Sequence, residues 1–310
     1  MRICVCILAV MALATPAVAK LAVADRTMGK STPKLTLDVH YPVTGRPALD
    51  RLFADYVRAR IKEVGQPEAG EDHEYSVDVG YQVLRNDDQF FSVGFSVEEY
   101  SGGAHPIHFD ESFHFLMPDG ARTFLPELVD GQRGLAKISR LATADLTKRL
   151  LAKPDDAMTN ADWIKGGTTP AQLAQIAFDW QPKTLALRFG EYAVAPYAAG
   201  PQEVHIPMSA IADVVRADPR APMASFDCAK AGSAIEKSVC ASAALARLDR
   251  QVSEAYAIKR DSDHNPKARL AVLEEQRTFL AARDKACGSG NAACLTDAYR
   301  KRLAALRPHD

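Results

Sequence analysis

The sequence has almost no net charge, -1 over 310 residues. That excludes the broad cationic surface on which bulk nucleic-acid binding depends. Beyond the first twenty residues it lacks any apolar run long enough to span a bilayer. It has no phosphate-cradling glycine loop and no H-E-x-x-H pair. It has no G-x-S-x-G elbow, and no C-x-x-C spacing of the kind that tetrahedral zinc uses. No metal and no cofactor are therefore expected. Cysteine is scarce, with six in all and none between Cys6 and Cys228.

What is present starts with an export signal. MRICVCILAVMALATPAVAK carries one arginine, a short apolar run and then small residues. Ala17-Val18-Ala19 fits a signal-peptidase site, so residues 1–19 read as a signal peptide; Ala22-Val23-Ala24 offers an alternative cleavage after residue 24. The mature chain is expected to be periplasmic or secreted, and not membrane-spanning after cleavage. Cys4 and Cys6 leave with the signal. Cys228, Cys240, Cys287 and Cys294 remain, an even number in an exported chain, and read as two disulfides. Three pairings are open. The local one, Cys228 with Cys240 and Cys287 with Cys294, is expected because each bridge closes a short loop between helices.

Hydrophobic content of 47% supports packed cores. PKLTLDVHYPV alternates Leu35, Leu37, Val39 and Tyr41 on one face, a strand period. PALDRLFADYVRARIKEV places Leu49, Leu52, Phe53, Tyr56, Val57 and Ile61 at helical spacing after Pro47. Three runs, EYSVDVGYQVLRN, QFFSVGFSVEEY and IHFDESFHFLMPDG, read as an antiparallel meander with Gly102-Gly103 in its second connection. A helix follows from Gln132 to Lys153, then a short helix around Trp163, the strands AQIAFDW and TLALRFG, and a short strand near Val204–Ile206. Residues 30–217 thus form an α+β N-terminal domain, a meander sheet with helices packed to one side. Residues 218–225 are a linker with two prolines in reach. Residues 226–310 are an all-α antiparallel helical bundle with the two disulfides. In it Ser233 and Glu236 make a capping box, Ser242 caps the next helix, and Leu270, Leu273, Phe279 and Leu280 face inwards. From Phe226 onward there are 15 Lys+Arg against 11 Asp+Glu, net +4; the remainder has 23 against 28, net -5.

The polar residues offer little for catalysis. His108, Asp110 and His114 share strand parity, but six residues span about 20 Å of extended chain and cannot close on one ion. Ser101 near His105 lacks the elbow that activates a serine. Glu98-Glu99 and Glu274-Glu275 are adjacent pairs of the kind found on solvated faces. Asp249, Arg283 and Asp284 are read as structural ion pairs between helices.

Two resemblances give these pieces direction. CAKAGSAIEKSVCASAALARLDRQVSEAY, LEEQRTFLAARDKAC and CLTDAYRKRLAAL closely resemble the LprI-like lysozyme inhibitor domain over about residues 226–307. The matching positions include Glu236, Asp249, Tyr256, Gln276, Arg283, Asp284 and Tyr299, with Phe279 where the family has tryptophan. The resemblance implies a secreted, disulfide-bonded helical domain that acts on lysozyme. FFSVGFSVEEYSGGAHPIHFDESFHF and YAVAPYAAGPQEVHIP resemble the extracellular domain of the RsiV type, shared with the non-catalytic region of PdaC-type deacetylases. The RsiV type is a lysozyme receptor, so a lysozyme-like partner is implied again. Neither sigma-factor signalling nor deacetylation is expected to carry over, because the sequence shows no second long apolar run and no deacetylase region.

The combined expectation is a secreted, non-enzymatic envelope protein that binds a lysozyme-like glycosidase and occludes its cleft. Tyr100, Ser101, Gly102, Gly103, His105, Tyr192, Pro196 and Tyr197 are the expected contact residues. The glycines would allow close backbone approach and the aromatic rings would anchor the partner. One alternative is a peptidoglycan- or glycan-binding module without an enzyme target. A second is a cell-wall hydrolase working through His105, for which the sequence shows no second positioned catalytic group.

Overall fold

The structure, a computed structural model, describes residues 20–65, 73–152, 159–221, 223–262 and 266–306. The expected signal peptide lies outside them. Strands β1 (Ala24–Thr32) and β2 (Leu35–Val43) pair antiparallel. Helix α1 (Pro47–Val64) then leads to β3 (Tyr75–Asn86), which lies parallel to β2. β4 (Phe90–Tyr100), β5 (Ile107–Leu116) and the short β6 (Ala121–Thr123) continue antiparallel. The expected meander is present as β3–β5, within a six-stranded sheet that is mixed rather than purely antiparallel. The helix between β2 and β3 is the reason, since a helical crossover is what joins parallel neighbours. β1 has no alternation to read: only Met28 and Thr32 are even half-buried.

On one face of this sheet α1 buries Leu49, Phe53 and Val57 against Val77, Val79, Phe95, Phe113 and Phe115. The Phe53 ring lies 5.8–5.9 Å from those of Phe95, Phe113 and Phe115. Beyond β6 the chain forms α2 (Leu125–Leu128), α3 (Gly131–Leu150), α4 (Ala161–Gly167) and α5 (Pro170–Leu173). A second, antiparallel sheet follows, with β7 (Ala177–Trp180), β8 (Thr184–Phe189) and β9 (Gln202–Pro207), closed by α6 (Met208–Ile211). Leu135, Ile138, Ala142 and Leu146 of α3 pack against Leu185, Leu187, Val204 and Ile206 of this sheet.

The helices are therefore not all on one side, contrary to the expectation from sequence. α1 covers one face of the large sheet, and β7 crosses the other. The Phe178 amide donates to Ser112 Oγ (2.9 Å), Arg85 Nη1 to the Trp180 carbonyl (3.3 Å), and Gln181 Nε2 to the Leu84 carbonyl (2.7 Å). Phe90 to Val93 are four consecutive buried residues, so both faces of β4 require a cover at that end.

His114 sits in that second layer, 1% exposed, with its ring 3.8 Å from that of Phe178. Nε2–H donates to the Phe178 carbonyl (3.0 Å), and Nδ1 faces Ser92 Oγ (2.9 Å). Burial pushes its pKa down from 6.5 to about 3. The unfolded chain therefore takes up a proton, between those two values, that the folded chain refuses. This contribution is fully present above pH 6.5 and is lost as the pH falls towards 3. Between about pH 7.5 and about pH 5.5 the wild type should lose about 1 kcal/mol relative to His114→Gln, by urea denaturation. Parallel curves for the two proteins would refute this.

The bundle contains α7 (Ala234–Ala241), α8 (Ala243–Ser262), α9 (Pro266–Cys287) and α10 (Ala292–Leu306). The capping box is present: Ser233 Oγ accepts from the Glu236 amide (3.1 Å), and Glu236 Oε2 accepts from the Ser233 amide (2.8 Å). The Ser233 and Gly232 amides, both donating to Oε2, hold the Glu236 carboxyl below the usual carboxylate range. Ser242 Oγ accepts from the Leu245 amide. The disulfides are the local pair, Cys228–Cys240 and Cys287–Cys294, each with Cα atoms 5.7 Å apart.

One expectation for the bundle needs correction. Leu270 and Leu280 face solvent, 60% and 36% exposed. The inward stripe of α9 runs Val272, Leu273, Gln276, Phe279, Arg283, Cys287, so Leu273 and Phe279 lie as expected, with two polar residues at core spacing. Reading only apolar residues misplaced the stripe. The bundle also docks on the first domain. Ile258 enters the core beside α3, and Gln251 Nε2 donates to Glu127 Oε2 (3.3 Å).

Candidate functional site

Two loops meet at one end of the first domain, the β4–β5 connection and the β8–β9 connection. In the former, Gly102 and Gly103 hold φ of 87° and 120°, where side chains are strained. The Tyr100 hydroxyl donates to the Gly103 carbonyl at 3.0 Å and closes the hairpin on itself. His105 Nδ1–H donates to the Pro106 carbonyl at 2.9 Å. Its ring stacks on Tyr197 at 3.8 Å with 22° between planes. Tyr192 continues the series, its ring 5.9 Å from that of Tyr197. Pro196 precedes the short 3-10 turn Tyr197–Ala199 and sets its entry.

The β8–β9 loop is held from behind. Tyr192 adopts φ of 64°, a strained value for an aromatic residue, while its side chain stays 55% exposed. Trp163 Nε1–H of α4 donates to the Tyr192 carbonyl (3.0 Å), and Val194 and Ala195 are buried beneath. Gly167 at the end of α4 lets the loop pass: a Cβ there would lie 2.0 Å from the Ala193 carbonyl oxygen. Gly167→Ala should cost about 1–3 kcal/mol by overpacking and displace the loop. The readout is thermal unfolding followed by tryptophan fluorescence, and an unchanged midpoint would refute it. At the base of the loop His108 lies between two carboxylates, Nε2 2.7 Å from Glu98 and Nδ1 3.3 Å from Glu191.

His105, Tyr192, Pro196 and Tyr197 thus come from segments some ninety residues apart and form one surface. Tyr100 is turned into its own hairpin, and Ser101 makes no hydrogen bond to a histidine among the described residues. Trp163, His108, Glu98 and Glu191 were not singled out as contact residues from sequence. The Glu98–His108 pairing was within reach, because the hairpin register sets those residues opposite one another. Trp163 and Glu191 left no such signal.

In the bundle the motif residues also converge. Asp249, 7% exposed, accepts from the Tyr299 hydroxyl (Oδ1, 2.8 Å) and from the Ser225 amide (Oδ2, 2.7 Å). Arg283 Nη1 donates to the same hydroxyl at 3.0 Å, while its Nε and Nη2 hold Asp284 (2.9 and 2.7 Å). The expected ion pairs between helices are corrected accordingly. Asp284 pairs within α9, and Asp249 reaches Arg283 only through Tyr299. Burial, with the Asp249 charge beside it, raises the Tyr299 pKa. Gln276 Oε1 accepts from Arg302 Nε at 3.0 Å. Glu236, Asp249, Tyr256, Gln276, Arg283 and Tyr299 line a single pocket of about 380 Å³.

Residues 228–306 match the family model described as lysozyme inhibitor LprI. The capping box, both disulfides and the Asp249–Tyr299–Arg283 chain all lie inside or at the edge of that LprI match. Residues 128–209 match a second family model, described as a protein of unknown function, DUF3298. That match includes Tyr192, Pro196 and Tyr197 and begins after the hairpin that carries His105. The peptidoglycan-N-acetylmuramic acid deacetylase PdaC of Bacillus subtilis (strain 168) is 23% identical over 184 residues, covering 57% of this chain. The chain spans 38% of PdaC's length. A DUF3298 family member from Bacteroides fragilis aligns over 64% of this chain and 96% of its own, with TM-score 0.42 and 14% identity. A DUF3298 family protein from Pseudomonas aeruginosa PAO1 aligns over 66% and 97%, with TM-score 0.43 and 14% identity.

Proposed function

We propose that the chain is an exported, non-enzymatic protein that binds lysozyme or a related peptidoglycan-cleaving glycosidase and blocks its cleft. The observation that carries this reading is the LprI match over the disulfide-bonded bundle. The surface that makes contact is the aromatic series His105, Tyr197 and Tyr192. Stacked rings on braced loops, Tyr192 exposed and His105 and Tyr197 half-buried, are suited to burial in a concave partner site at little entropic cost. Ser101, Gly102 and Gly103 lie at the adjoining hairpin tip, where the glycines leave the backbone uncovered. The acidic excess of the first 225 residues favours encounter with a cationic glycosidase. Export fits the two disulfides, which persist in oxidising compartments.

Titration of the full chain against c-, g- and i-type lysozymes on a cell-wall suspension tests this. A loss of lysis that saturates with inhibitor and a complex on gel filtration are expected. No inhibition and no complex at micromolar concentration would overturn it. A second reading, binding of a peptidoglycan strand itself, is favoured by the same stacked rings, because flat aromatic faces also receive sugar rings. Sedimentation with purified cell walls in the absence of any glycosidase supports that reading, and failure to sediment rejects it.

A further inference from the structure

A cleft of about 710 Å³ opens between the first domain and the bundle, remote from the aromatic loops. Leu52 of α1 with Ala121 and Phe124 forms one wall; Ala244 and Leu248 of α8 with Leu303 and Ala304 of α10 form the other. Its volume falls in the range of about 300–1,000 Å³ typical of small-molecule sites, which favour domain boundaries. The charges around this apolar interior are unbalanced, Arg122, Arg247 and Arg300 against Asp119. The Arg122 guanidinium lies over the rings of Phe113 and Phe124 (4.6 and 4.8 Å), which fixes its position in the wall. Arg247 Nη1 is shut off from solvent and has no hydrogen-bond partner. A buried donor left unpaired is costly, and an anionic acceptor relieves it. Arg300 is exposed and makes no ion pair among the described residues.

We propose that this cleft binds a single-chain amphiphile with an anionic head, a fatty acid. The acyl chain lies between Leu52, Phe124, Leu248 and Leu303, and the carboxylate is held by Arg247 and Arg300. Apolar walls alone would accept any alkyl chain; the excess of arginine selects the anionic one. The bundle and the first domain each supply one wall, so the ligand couples them.

Isothermal titration of the full chain with dodecanoate, kept below its micellar concentration, tests the proposal. One molecule per chain is expected, with dodecyltrimethylammonium bound at least about tenfold more weakly. Arg247→Gln should weaken dodecanoate about tenfold and leave the cationic probe unaffected. Ala244→Trp and Ala304→Trp, at exposed positions lining the cleft, should abolish binding with helical circular dichroism unchanged. The proposal is overturned by absence of dodecanoate binding, by equal affinity for the two probes, or by binding that survives both tryptophan variants.

Discussion

Tyr197→Ala is expected to weaken the complex with a lysozyme-like glycosidase by about 30- to 1,000-fold, the range of a central aromatic anchor. Tyr197 is the middle ring of three. It stacks on His105 at 3.8 Å and neighbours Tyr192 at 5.9 Å, so its removal leaves both flanking rings without their support. The fold should not suffer, because Tyr197 is only half-buried and lies outside the hydrophobic cores. Tyr197→Phe keeps the stack and should stay within about threefold of wild type. His105→Ala should fall between the two. Inhibition constants and calorimetric affinities, with circular dichroism as the folding control, decide the matter. Retention of affinity within a few-fold by Tyr197→Ala would remove this surface from the interface, whatever the bundle does.

The second large effect is on stability. Asp249→Ala should destabilise the bundle by about 3–5 kcal/mol. The carboxylate is buried and serves two donors, the Tyr299 hydroxyl and the Ser225 amide. Removing it leaves both unmet and leaves the Arg283 charge without the anion it reaches through Tyr299. Asp249→Asn keeps an acceptor and should cost about 1–2 kcal/mol. Tyr299→Phe removes the shared hydroxyl, so the cost of Asp249→Ala measured in that background should shrink, the mark of coupled residues. Both tryptophans, Trp163 and Trp180, are in the first domain, so fluorescence follows that domain, and helical circular dichroism lost ahead of the fluorescence change reports the bundle. Additive losses for Asp249→Ala and Tyr299→Phe would show that the two residues act separately.

The elements were legible where one period dominated. The alternation of Leu35, Leu37 and Val39 announced β2, and the helix expected from Gln132 to Lys153 is present as α3. Ser233 and Glu236 announced a helix start because capping is a local interaction, complete within four residues. The local disulfides were legible for a similar reason: short loops bring their ends together at little entropic cost. α9 was misread in part because its inward stripe includes two polar residues; Gln276 and Arg283 face the core only because Arg302 and Tyr299 wait there to pair with them.

The candidate site was legible as residue types and not as an arrangement. Tyr100 and His105 looked equivalent in the chain, yet Tyr100 closes its own hairpin while His105 stacks across to another loop. Nothing in the local sequence distinguishes an aromatic side chain that turns back from one that reaches out.

By itself, the sequence determined the two-part organisation, the periods of most strands and helices, the bundle's caps and short bridges, and the residue types available for recognition. These rest on interactions within a few residues of one another, which composition and spacing carry directly. Tertiary structure alone decided that β7 crosses the back of the large sheet and that His114 is held neutral there. It also decided that His105, Tyr197 and Tyr192 form one surface, and that an arginine-rimmed apolar cleft opens between the domains. Each of these joins residues far apart in the chain, and their meeting depends on which faces the cores leave to be covered.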